Sequence, residues 1–166
     1  MKKMQYILIF AAVIIVLGFI VLMVKPGASA SGGVLDGDGM INPHAVSMFS
    51  YDRGGGMKNA RYHMTLEAGE LTVEKRTGQE TAIKKYEVPD DTISEIENIL
   101  YDSGLKKRTG VFPESENIAL DADTISVIID YYDGAHIEFN SNQEVPDEGW
   151  DAVNKTMRLL EAAADK

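Results

Sequence analysis

The sequence contains no cysteine. That excludes disulfides, thiolate metal ligation, a cysteine nucleophile and attachment through a lipidated cysteine. Histidine is scarce: His44, His63 and His136 are the only imidazoles. Neither H-E-x-x-H nor G-x-S-x-G occurs, so the commonest zinc-hydrolase and serine-hydrolase motifs are missing. Positive charge is thin beyond Ala30, where 13 lysines and arginines meet all 26 acids, a net −13 in a chain of −10. Nucleic acid is therefore not an expected partner, since phosphate backbones are bound by basic faces. An anionic lipid surface would repel the same region. The acidity otherwise serves solubility or attraction of a cation or a basic partner.

The chain does have one long hydrophobic run, Tyr6–Val24, without a single charge. As a helix its 19 residues span about 28 Å, close to the ~30 Å hydrocarbon layer of a bilayer. Lys2 and Lys3 precede it, and only Lys25 follows before Arg53. The positive-inside bias places residues 1–5 in the cytoplasm and the rest outside, attached to the cell membrane by a single pass. Ala28-Ser29-Ala30 offers the alternative, a signal cleaved after Ala30 to release a secreted domain. The run is longer than the roughly 7–15 residues of a signal-peptide hydrophobic core, and Lys25 lies between it and that site, so a retained anchor is the preferred expectation.

Residues 25–44 read as a flexible linker, opening with Lys25-Pro-Gly-Ala-Ser-Ala-Ser-Gly-Gly33. Asp36 and Asp38 hint at a calcium loop, but Met40, Ile41 and Ser47 stand where an EF-hand needs other residues. Residues 45–166 are long enough for one domain. A first strand is expected at Val46–Tyr51, then a glycine loop, Arg53-Gly54-Gly55-Gly56-Met57. Arg61–Ala68 alternates, with Tyr62, Met64 and Leu66 on one face. An Ala68-Gly69 turn sets Leu66 against Leu71 and Met64 against Val73, and puts His63 opposite Glu74 as a surface pair. Thr81–Val88 is the next strand, with Ala82, Tyr86 and Val88 inward. Asp90 or Asp91 would cap a helix to about Ser103, with Ile93, Ile96, Ile99 and Leu100 as its stripe. Gly104 suits the left-handed position beyond its end, and Lys106, Lys107 and Arg108 complement its negative end.

Thr124–Tyr132 carries Ile125, Val127, Ile129 and Tyr131 on one face. A three-residue Tyr132-Asp133-Gly134 loop sets Ile129 opposite Ile137 and Val127 opposite Phe139, and pairs Asp130 with His136 on the other face. Asp147 would cap a final helix to Ala164 that buries Trp150, Val153, Met157 and Leu160.

These elements define an α+β protein: one N-terminal transmembrane helix, a flexible linker, and a two-layer domain of five to six antiparallel strands with two amphipathic helices on one face. The other face would be wet and hold His63, Glu74, Asp130, His136 and Glu138. Tyr62-His-Met-Thr-Leu66, Phe112-Pro-Glu-Ser115, Leu120-Asp-Ala-Asp-Thr124, Tyr132-Asp-Gly134 and Ser141-Asn-Gln-Glu-Val-Pro146 resemble uncharacterised exported domains of Gram-positive, clostridia-type bacteria. The resemblance spans residues 45–164. It implies the location and a ββαββα order, and it brings no activity.

Three functional expectations follow. The leading one is a non-enzymatic binding or regulatory module of the cell envelope with a protein partner, its binding loop being Ser141, Asn142, Gln143 and Glu144. The second is an envelope hydrolase using His136 oriented by Asp130. The third is a Ca²⁺-responsive domain, with Glu114, Glu116, Asp121 and Asp123 supplying oxygen ligands. No other cofactor is expected.

Overall fold

The computed structural model describes residues 40, 42–55, 60–108, 112–116 and 123–165. Tyr6–Val24 and the Ala30 cleavage site lie outside them. Among the described residues no helix is long and apolar enough to cross a membrane.

Six strands form one antiparallel sheet: β1 (Val46–Gly55), β2 (Ala60–Glu67), β3 (Glu70–Thr77), β4 (Glu80–Glu87), β5 (Thr124–Tyr131) and β6 (His136–Asn140). Their spatial order is β4-β3-β2-β1-β5-β6. Helix α1 (Asp90–Asp102) follows β4, and α2 (Asp147–Ala164) follows β6. The order is thus ββββαββα, with ββαββα as its last six elements.

Alternation in the strands produces one apolar face, and the helices cover it. Phe49, Leu71, Val127, Ile129 and Phe139 from the sheet meet Ile96, Leu100, Val153 and Leu160 in one core. Both expected hairpin registers hold, Leu66↔Leu71 with Met64↔Val73 and Ile129↔Ile137 with Val127↔Phe139. The Ala68-Gly69 turn has both residues at positive φ, 49° and 80°, matching the twist that a two-residue hairpin needs. Gly134 takes φ 86° in the three-residue loop.

Four expectations are corrected. Arg53, Gly54 and Gly55 belong to β1, because pairing on both sides holds Gly54 in register with Arg61 and Thr124. Ala82 lies on the helix-facing side of β4 but is exposed, beside the hollow between β4 and the end of α2. Neither helix has an acidic side-chain cap: Pro89 and Pro146 occupy the cap positions. The carboxylates of Asp90, Asp91, Asp147 and Glu148 stand in the first turns, where the helix dipole favours negative charge.

The chain enters the sheet along α1. His44 stacks on Tyr101 at 3.8 Å, and its Nδ1 lies 2.9 Å from Asn98 Oδ1. The Val46 amide donates to Glu97 Oε1 at 3.1 Å. Lys106 ties this segment to the β5–β6 turn: its Nζ donates to the Pro43 carbonyl and to Asp133 Oδ2, 2.6 Å away, above the Tyr131 ring. Its role is more specific than complementing a helix end.

Two predictions follow from this packing. Phe139 makes edge contacts with Phe112 and Trp150 at 5.3 and 5.2 Å between ring centroids. Phe139→Ala should cost about 3–5 kcal/mol, read by urea unfolding with Trp150 fluorescence as the probe. Glu97 is buried, and burial raises its carboxyl pKa against the opposing pull of the Val46 amide and His44. A raised folded value favours folding at low pH, and that contribution is lost as pH rises through it. Glu97→Gln keeps the acceptor for Val46, so its melting temperature should exceed wild type at pH 7 and match it near pH 4.

Candidate functional site

A cleft of about 540 Å³ opens where the far end of the sheet runs past α2. Its floor is set by strand register. Arg53 of β1 pairs with Tyr62 of β2, and Tyr62 pairs with Lys75 of β3, so the three side chains form one cross-strand row on the helix-facing side. Tyr51, one step inward, meets Tyr62 edge-on at 6.5 Å. Asn154, Arg158 and Glu161, spaced along one side of α2, supply the opposite wall. Arg61 and Arg76, paired across β2 and β3, border its open end from the other face of the sheet. A second hollow of about 370 Å³ adjoins this one and shares Tyr62, Lys75 and Glu161 with it.

The cleft concentrates positive charge. Five of the 16 lysines and arginines line it, Arg53, Arg61, Lys75, Arg76 and Arg158, against two of the 26 acids. Both acids are engaged. Asp123 pairs with Arg53 at 3.0 Å. Glu161 faces the Tyr62 hydroxyl and, with burial as the larger cause, pushes its pKa up to about 12. Burial also raises Tyr51, so both hydroxyls keep their protons at neutral pH. Arg61 is held by Asp52 through its Nε at 2.8 Å. Lys75 lies 5.3 Å from the centre of the Tyr62 ring. Among the described residues, Lys75, Arg76 and Arg158 have no ion-pair partner.

The residues singled out by sequence fall elsewhere. Ser141–Glu144 fastens the 112–116 segment to the sheet: Gln143 Nε2 donates to the Phe112 carbonyl, the Glu144 amide to Pro113, and the Ser115 amide to Asn142. Ser141 Oγ accepts from the Ile125 amide. The amides of this loop are thus largely used within the fold, while the Glu144 side chain is exposed. Of the proposed calcium ligands, Glu114 and Glu116 are exposed, Asp123 sits at the cleft with Arg53, and Asp121 lies outside the described residues. Among the described residues no three acids or histidines are grouped as a metal site would group them.

Asp130 and His136 are cross-strand neighbours as expected, 2.6 Å apart. Glu138 Oε2 lies 3.8 Å from the other imidazole nitrogen. Two carboxylates around one ring favour the imidazolium, and the pKa is raised, chiefly by the Asp130 hydrogen bond. His63 does oppose Glu74, but its ring turns to β1 instead. Its Nε2 lies 2.9 Å from Thr65 Oγ1, and its Nδ1 is 3.1 Å from Asp52 Oδ2 but out of hydrogen-bond alignment. This carboxylate–imidazole–hydroxyl line shares its atom types with a hydrolase triad. It differs in that Asp52 also serves Arg61, and the line lies on the face away from the helices, outside the cleft.

No family model matches this chain, and no curated protein matches it.

The His136 geometry makes a direct prediction. Its NMR titration should give a pKa above the ordinary 6.5, falling toward that value in Asp130→Asn. A raised folded value adds stability that is complete below the unfolded pKa and lost as pH rises through the folded one. Asp130→Asn should therefore reduce the melting temperature more at pH 6 than at pH 9.

Proposed function

We propose that this protein is a binding module of the cell envelope, attached to the membrane through Tyr6–Val24 with residues 45–166 outside. The observation that carries the reading is the cleft between α2 and the end of β1–β3. It is within the volume range of ligand sites, and it is lined by cations in an otherwise acidic chain. The location is supported by the uncharged run after Lys2 and Lys3, and by the likeness of residues 45–164 to exported Gram-positive domains. A tether confines the domain near membrane partners and raises its effective concentration there. The Ser141–Glu144 loop is the second candidate face, weaker because its amides already serve the fold.

In-cell crosslinking of the full-length chain, followed by membrane isolation and mass spectrometry, tests this. The expected result is a chain retaining Tyr6–Val24 in the membrane fraction, with crosslinks clustered around the cleft. A mature terminus at Ser31 in the medium would overturn the tether. Crosslinks confined to the 141–144 loop would move the binding face.

A further inference from the structure

The charge of the cleft identifies its ligand more closely. This step rests on reading the cleft as the binding face. We infer that it takes a multivalent phosphate-bearing anion, held by Lys75 and Arg158 over the two tyrosines.

The inventory of unspent groups points that way. The two cleft carboxylates are engaged, Asp123 with Arg53 and Glu161 with the Tyr62 hydroxyl. What is left at the surface is donors: the Lys75 ammonium, the Arg158 guanidinium and the Asn154 amide. The Tyr51 hydroxyl stays protonated and adds a further donor. Such a lining is matched by a ligand made of acceptors. A terminal phosphate brings up to two charges and three strong acceptor oxygens, and guanidinium forks fit it in pairs.

Spacing sets the valence. Lys75 lies on β3, whereas Arg158 lies on the facing wall of α2. Arg53 is two strands from Lys75, about 10 Å at the ~4.8 Å separation of neighbouring strands. One monovalent anion cannot touch all of these groups, and two or more linked phosphates can. The net −10 of the chain does not forbid this, because charges farther away than about 8 Å are screened at physiological ionic strength.

Direct binding to the full-length chain in detergent micelles tests the inference, with sodium tripolyphosphate as probe, citrate as the carboxylate comparison and long-chain polyphosphate as the polymer. Tripolyphosphate should bind by calorimetry at 50 mM salt and weaken as salt rises. Lys75→Ala and Arg158→Ala should each weaken it at least tenfold, while Lys155→Ala, elsewhere on α2 and exposed, should not. Binding of long-chain polyphosphate much tighter than the trimer would assign the natural source to a polymer. Equal binding would assign it to a free small molecule. No binding at low salt, citrate binding as tight as tripolyphosphate, or binding unchanged in Lys75→Ala and Arg158→Ala would overturn the inference. Crosslinks around the cleft that persist in those variants, with no phosphate bound, would leave the binding module standing and remove only the phosphate.

Discussion

Covering one apolar sheet face with two helices is the constraint from which the remaining features follow. Six strands at ~4.8 Å spacing make a surface about 29 Å wide. Two helices packed at ~10 Å cover about 20 Å of it. The helices bury the sheet from Leu71 of β3 to Phe139 of β6, with Phe49, Val127 and Ile129 fully buried between them. The shortfall appears at the opposite corner. There β3 presents Lys75, and β4 presents exposed Ala82 and Lys84, on the same side as the core. The cleft is the geometric remainder of the packing, and its polar lining is what permits that part of the sheet to stay open to water.

Much of this was legible in the residues. The period-2 runs at Arg61–Val73 and Thr124–Phe139 fix hairpin registers, because a slip of one residue would send Met64 or Ile129 to the wet face. The helix stripes are equally plain: Ile93, Ile96 and Leu100 in one helix, Val153, Met157 and Leu160 in the other, are all buried. Strand ends were harder to read. Three consecutive glycines after Arg53 look like a loop, yet ladder pairing keeps Gly54, on both sides, and Gly55, on the β2 side, in β1. Likewise the acids at the helix starts have the composition of caps while proline takes the cap position.

The cleft was not legible, for two physical reasons. Its residues come from β1, β2, β3 and α2, and local patterning cannot show that Arg53, Tyr62 and Lys75 share a row until the β1–β2 register is known. Net charge was the second obstacle. The net −13 beyond Ala30 argues against binding anions, but a sum over that whole stretch hides the cations that line one hollow. The alternation of Tyr62 and Lys75 with outward residues was the available signal, since each stands at an apolar-face position and each carries a polar tip. His63 shows the same limit: the pairing with Glu74 was readable, but the turn of the ring toward Asp52 depends on a strand that joins only through the fold.

The position of β1 has a mechanical consequence. The chain joins the domain at residues 42–46, at one end of this strand, and Arg53 marks the cleft at the other. Tension between the two ends therefore runs along β1, roughly 30 Å of it, and β1 is flanked by β2 on one side and β5 on the other. Interstrand hydrogen bonds lie perpendicular to that axis, so both ladders are loaded in shear and yield together, not one bond at a time from an edge. Under load the domain would act as a clamp whose strongest direction is the line from residues 42–46 to the cleft.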